Sequence, residues 1–337
     1  MSDSPAEAQE NSELPAALPA DLPPVEPPSA KFIVQLFVVP GLIVAAIVGV
    51  WLLFGKLASA EQDWQALLAD MKSSNEHRRG RGAMGLAQAL AADQNRKGDG
   101  PRLSTNPQVA QELSAFLADT LKSSSQEPAV IDQQAFLTRT LGMLDVPDAV
   151  LPVLREGMKE TRDREVRKNA VLAVATIAFR ATERGTPLTD ADTLEELSVV
   201  SRDGDPLLRS SSAFALGLFP LDLADQPLTI LLADADASTR ANAAVAFTRL
   251  KSLKGVPVLR DVLKSAAAMK QAVSNGDAAP IATTAALKAV SELAPQLDES
   301  IRSEIIRDVT TISTEYPEPR IRLDAAQALV TLRGSGK

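Results

Sequence analysis

Beyond Ala60, apolar residues recur at intervals of three and four, and short polar breaks rich in Asp, Pro and Gly interrupt them. That is the period of an amphipathic helix, and no convincing two-residue alternation of the kind a half-buried strand needs is present. The pattern predicts a succession of helices joined by short turns.

One register recurs within this pattern. Residues 205–219 read DPLLRSSSAFALGLF and residues 236–250 read DASTRANAAVAFTRL. Each begins with Asp, places Arg four residues later, Ala four beyond the Arg and a large apolar residue three beyond that. The same register fits Arg79–Ala83–Leu86, Arg167–Val171–Val174, Arg209–Ala213–Leu216, Arg240–Ala244–Phe247 and Arg322–Ala326–Leu329. Copies without the Arg run through Ile131–Ala135–Thr138 and Thr283–Leu287–Val290. Successive starting positions lie 52, 36, 42, 31, 43 and 39 residues apart, which describes a repeat with loops of variable length.

Positions four and seven residues past an anchor share a helical face, so each copy presents one apolar stripe, and its small residue admits a neighbouring backbone. Asp163, Asp205 and Asp236 precede their helices as N-cap candidates. Pro128, Pro206, Pro280 and Pro319 sit near helix starts, where the missing N–H costs nothing. Partner helices fall at roughly 106–121, 146–160, 190–201, 224–233, 255–270 and 297–314. A hairpin of this kind cannot bury its stripe alone, so the pairs must stack into a continuous core. The expected fold is all-α, a right-handed α-solenoid of about seven helical hairpins over residues 56–333, with a flexible end at 334–337.

The N-terminal part has a different pattern. Phe32 to Gly55 is a run of 24 residues with no charge and only Gln35 polar. As a helix it spans about 36 Å, more than the roughly 30 Å of a bilayer's hydrocarbon core. Lys31 and Lys56 bracket it and Trp51 lies near one end, the residue types that anchor a span at the interface. A cleaved signal peptide is the competing reading, because Ala58–Ala60 reads ASA. The apolar run is longer than a secretory signal needs, and the segment before it is acidic instead of basic. Residues 1–31 hold six acids against Lys31 alone, and seven of the chain's 22 prolines fall in the first 30 residues, a composition that predicts a disordered tail.

Composition narrows the chemistry. The net charge is −8, but outside the tail the balance is 37 acids to 34 bases, so no basic face for nucleic acid is required. There is no cysteine and one histidine, His77, which removes thiol nucleophiles, cysteine-based zinc sites and the usual triads. His77 stands in NEHRRGRG, where Arg78, Arg79 and Arg81 form a candidate contact for anionic lipid. The acidic pairs Asp203–Asp205 and Asp234–Asp236 fall at repeat turns and fit no calcium loop. No catalytic, metal-binding or cofactor-binding residue is assigned.

The segments DGDPLLRSSSAFALGLF, TRDREVRKNAVLAVATI, DADASTRANAAVAFTRL and YPEPRIRLDAAQALVTL resemble the second helix of HEAT repeats. The resemblance covers about residues 61–333. It implies a ladder between neighbouring repeats, built from Arg167, Arg209, Arg240 and Arg322 with the turn acids Asp163, Asp205 and Asp236, and interrupted at positions 131 and 283. Stacked repeats present an extended surface suited to protein–protein contact, and with the apolar run the expected function is a single-pass membrane-anchored scaffold or adaptor, with lipid contact through residues 32–55 and a protein partner whose identity the sequence does not give. The alternative is an enzyme on the same repeat, of the bilin lyase or DNA glycosylase type, which the scarcity of aromatics and the acidic balance support poorly. The distribution of Lys and Arg favours the repeats on the cytoplasmic side, with an external placement as the alternative.

Overall fold

The structure is a computed structural model that describes residues 39–58, 63–96, 100–123, 125–269 and 279–334. The tail 1–31 with Lys31, residues 32–38 of the apolar run, and residues 335–337 lie outside the described residues. Among the described residues there are 15 α-helices and no strand. They fall into two compact units, residues 1–62 and 63–337.

The first unit contributes α1 (Val39–Ala58). Pro40 stands in its first turn, where a helix tolerates a missing N–H, and so starts the helix instead of kinking it. Its side chains are described for residues 41–50, and all of them are exposed, with Leu42 at 65% and Ile47 at 63%. Among the described residues no helix is long and apolar enough to cross a membrane. The charge-free run of the sequence begins seven residues before α1, and the side chains of Trp51 and Lys56 are outside the described set.

The second unit is a stack of seven helical hairpins: α2 (Trp64–Met71) with α3 (Glu76–Asn95), α4 (Pro107–Leu121) with α5 (Pro128–Gly142), α6 (Pro147–Met158) with α7 (Arg164–Glu183), α8 (Ala191–Val200) with α9 (Pro206–Leu216), α10 (Leu221–Leu231) with α11 (Ala237–Arg249), α12 (Val256–Ala267) with α13 (Ala279–Leu293), and α14 (Glu299–Glu315) with α15 (Pro319–Gly334). The second helices pack in sequence, α5 on α7, α7 on α9, α9 on α11, α11 on α13 and α13 on α15. First helices stack as well, α4 on α6 on α8.

Local sequence accounts for the helix starts. Asn75, Asn106, Asp163, Asp190, Asp205 and Asp236 each accept a hydrogen bond from a first-turn amide of the helix they precede. Pro107, Pro128, Pro147 and Pro206 occupy the first helical position. Between the first two hairpins, Asp93 accepts from the Ser104 amide at 2.9 Å and its hydroxyl at 2.7 Å, which fixes the connection after α3.

The core forms two clusters. One runs from Leu68 to Phe247, the other from Ala244 to Leu332, so α11 contributes to both. Second helices approach each other where the residue six past the register start, Ala173 or Ala246, meets a glycine at the end of the preceding second helix. A Cβ built on Gly142 would lie 2.8 Å from Ala173 Cα, and one on Gly217 would lie 2.5 Å from Ala246 Cβ and 2.8 Å from its Cα. The sequence reading placed this role at the Ala four residues past the Arg. There Ala244 instead meets Gly255 inside its neighbouring connection, while Ala326 is exposed.

Candidate functional site

The repeated arginines act first on their own repeat. Arg79 donates to the Ser74 and Ser73 carbonyls at 2.9 and 3.3 Å, Arg209 to Asp203 and Gly204 at 2.9 and 3.1 Å, Arg240 to Asp234 and Ala235 at 2.6 and 2.9 Å, and Arg322 to Tyr316 and Pro317 at 2.7 and 3.0 Å. In each case the acceptors lie six and five residues before the Arg. One guanidinium therefore closes the turn between the two helices of a hairpin, where backbone carbonyls would otherwise lack partners. Arg167 is buried and donates instead to the Met158 carbonyl at 3.0 Å.

Bonds between repeats are added where the next turn supplies an acid. Arg209 holds Asp234 with two hydrogen bonds of 2.7 and 2.8 Å, and Arg167 holds Asp203. The repeated arginines thus reach Asp203 and Asp234, while of the expected acids Asp205 is reached by Arg164 and Asp163 and Asp236 cap their own helices. The reason is local: all three of those carboxylates cap their own helices. Thr161 stands two residues before Asp163, whereas before Asp205 and Asp236 the acid at that place projects toward the preceding repeat. Its second oxygen still folds the turn, since Asp203 accepts from the Asp205 amide and Asp234 from the Asp236 amide, both at 2.8 Å. Asp205 also pairs with Arg164, so it both caps a helix and links two repeats. The corresponding turn after Arg240 falls outside the described residues.

These bonds set an acid limit on stability. The Arg209 guanidinium beside Asp234 holds its carboxyl below the usual carboxylate range. Because the folded value lies below that of an unfolded aspartate, near about 3.9, the contribution is complete above that pH and disappears as pH falls through the folded value. Asp234→Asn is expected to cost about 1 kcal/mol at pH 7 and to flatten the loss of stability below pH 4 or so. Denaturation midpoints of both proteins across that range check it, and an unchanged acid slope would contradict it.

The arginine cluster of the first hairpin does not form a joint anion site. Arg78 is committed to Asp70 at 2.6 and 3.0 Å and Arg79 to its turn, which leaves Arg81 exposed; His77 is exposed on the first turn of α3. No group of residues that could hold a metal ion is present among the described residues. A cavity of about 390 Å³ separates α3 from α5 and is lined by Met71, Arg79, Gln133, Phe136 and others of both charge signs.

The distinctive surface is the outer side of the second helices. Five positions past the register start stand Met84, Phe136, Leu172, Phe214 and Val245, all exposed or half-buried, and then the polar Lys288 and Gln327. Phe179 joins this row from α7 at 52% exposure. Phe136 and Val245 are half-buried and pack against the core, whereas Met84, Leu172, Phe179 and Phe214 are exposed. The Arg249 guanidinium lies 4.6 Å from the centre of the Phe214 ring, and burial pushes that guanidinium below its usual value, partly offset by Glu292.

Charge is divided between the two layers. The seven first helices carry 15 acidic and 5 basic residues, whereas the seven second helices carry 7 acidic and 15 basic ones. The repeated arginines absorb part of that excess in closing turns. α9 and α11 nonetheless contain no acid at all, and Glu165 of α7 is held by Lys168 at 2.6 Å. Most cations of these middle helices are nevertheless paired, Arg164 with Asp205, Arg167 with Asp203, Lys168 with Glu165 and Arg209 with Asp234. Sequence reasoning missed the outer apolar row because it read only the buried positions; the signal was the recurrence of large apolar residues at the fifth position, which a helix of this register turns away from its core.

No protein-family model and no curated protein sequence matches the chain. Among solved structures it is similar to an engineered protein, at 19% identity over 82% of this chain and 98% of that chain with a TM-score of 0.40. It is also similar to the complex of CpcE and CpcF of phycocyanin lyase from Nostoc sp. PCC7120, at 16% identity over 80% and 94% with a TM-score of 0.45. Human deoxyhypusine hydroxylase in complex with glycerol matches at 20% identity over 83% and 99% with a TM-score of 0.32. At these values the likenesses carry no conclusion about activity or partners.

Proposed function

We propose that this chain is a single-pass membrane protein whose helical-repeat unit works as a scaffold, binding a protein partner at the bilayer surface on the cytoplasmic side. The observation that carries the reading is the pairing of two unburied apolar surfaces of different kinds. α1 exposes Leu42, Ile43, Val44, Ile47, Val48 and Val50 on every side, within a run of the sequence that has no charge from Phe32 to Gly55. Such a surface is unfavourable in water and suited to hydrocarbon. The second-helix row is narrower, interrupted by cations and polar groups, and suited to a protein surface.

Tethering supports a scaffold physically, because confinement to a membrane raises the effective concentration of neighbours and lets a modest contact suffice. The cytoplasmic placement rests on Lys56, Lys72 and the following arginines outnumbering Lys31 on the other side of the run.

The absence of cysteine supplies the experiment. With Ser335→Cys as the sole thiol, a membrane-impermeant maleimide is applied to sealed vesicles of known sidedness, followed by an alkaline carbonate wash. Labelling from the cytoplasmic face with retention in the washed membranes is the expected result. Release by carbonate would end the anchor reading, and labelling from the opposite face would reverse the placement.

A further inference from the structure

In the middle of the stack, the residues one, four and eight past the register start form one side of a second helix, because spacings of three and four keep a helical face. On α9 they are Ser210, Ala213 and Gly217, and the next second helix covers them: Asn242 of α11 donates to the Ser210 hydroxyl at 2.7 Å, and Ala246 of α11 closes on Gly217. On α11, which α13 follows in the stack, they are Ala241, Ala244 and Thr248. All six are buried. On α15 the same places hold Leu323, Ala326 and Val330, and no described element covers them: Leu323 is 71% exposed and Val330 68%.

We propose that this open side of α15 binds the same side of α15 in a second copy of the chain, with the two helices antiparallel about a two-fold axis. The inference goes beyond the scaffold reading and uses none of the residues of the outer apolar row.

The chemistry of the side is that of an interface. The end of a repeat stack that faces water carries polar residues on its outer side. Here the exposed positions from 323 to 330 are Leu323, Ala326, Gln327 and Val330, and none is charged. The internal repeats show what kind of element seats on this side, namely another second helix. Leu323 and Val330 stand two turns apart with the small Ala326 between them, so the pattern of large, small and large reads the same from both ends. A two-fold axis near Ala326 therefore sets Leu323 of one copy beside Val330 of the other, and the small residues at the centre let the backbones approach.

The opposite end of the unit is not a substitute. In the stack, the side of α9 is met by the residues two and six past the start of α11, Asn242 and Ala246. Their counterparts on α3 are Arg81 and Gly85. A head-to-tail contact would bury Arg81 against Leu323 with no acid on the stripe to meet it, which is costly for a charge. Gly85 is already occupied by its own hairpin, since a Cβ there would lie 2.6 Å from a side-chain carbon of Leu67. The contact is thus of like with like, which closes as a dimer instead of extending as a filament.

The test uses the full chain, which has no cysteine, carrying single thiols at exposed positions in native membranes. Under mild oxidation Ala326→Cys is expected to form a disulfide dimer about tenfold faster than Gln88→Cys, on an exposed position of α3, which reports chance encounter in the membrane. Adding Leu323→Glu to the Ala326→Cys protein is expected to slow the dimer by about tenfold with helicity retained, because a carboxylate would be buried unpaired in the contact. Leu323→Cys and Val330→Cys are each expected to dimerise slowly alone and readily when co-expressed, since only antiparallel helices set these two positions side by side.

Equal rates from positions 326 and 88 would overturn the proposal, and so would a dimer through 326 that Leu323→Glu leaves unchanged. Leu323→Cys dimerising faster alone than with Val330→Cys would describe parallel helices and overturn the two-fold arrangement. A photoreactive residue at 326 that captures a different protein and no second copy would give the face to that partner and overturn self-association.

Discussion

Gly217→Ala is expected to lower the stability of the repeat unit by about 2–3 kcal/mol, which in a unit of this size shifts the thermal midpoint by roughly 4–12 °C. The backbone at Gly217 has φ −67° and ψ 2°, a conformation any residue adopts, so the cost comes from space alone. The atoms in the way are Ala246 Cβ at 2.5 Å and Ala246 Cα at 2.8 Å, neither at the end of a flexible side chain, so α9 and α11 must separate. Ala246→Gly in the same protein is expected to restore part of the loss by removing one of the two clashes. Gly80→Ala serves as the contrast: nothing lies within 4 Å of the added methyl at this exposed position of α3, and helix propensity raises stability by up to about 1 kcal/mol. Calorimetric midpoints of the three variants decide the matter. A Gly217→Ala protein as stable as the parent would mean that the second helices are not packed at the spacing described.

Deleting residues 32–55 is expected to move the protein from the membrane fraction to the soluble one almost completely, with its helical content and cooperative melting retained. The deleted run has the length and apolar character of a bilayer span, and nearly all of its residues favour insertion. Folding of the remainder follows from the division of the chain, since residues 63–337 form a compact unit whose two core clusters are built from its own helices. Fractionation and circular dichroism of the deletion product are the readouts. A soluble full-length chain would remove the anchor, and an aggregated, non-helical deletion product would contradict an independently folded repeat unit.

The order of helices was legible because the apolar period and the turn residues act locally. The first helices were anticipated at 106–121, 146–160 and 190–201, and the structure has Pro107–Leu121, Pro147–Met158 and Ala191–Val200. Partners across the stack were harder to read. Asp203 and Asp205 are the same residue type two positions apart, and only the backbone of the turn decides that one reaches Arg167 while the other caps α9. The small-residue contact was misplaced by two positions, because four and six residues past the Arg both lie on helix sides that face a neighbour. The apolar outer row was visible as a recurrence at the fifth position, but its exposure depends on which side of each helix the stack leaves uncovered.

The central claim, an anchored repeat scaffold that binds through its second helices, is tested most directly by site-specific photo-cross-linking in native membranes. A photoreactive residue replaces Phe214 on α9 in one protein and Ile230 on α10 in another. The expected result is a discrete protein adduct from position 214, carbonate-resistant in the membrane fraction, and none from position 230. No protein adduct at 214, or the same adducts from both positions, would contradict the account.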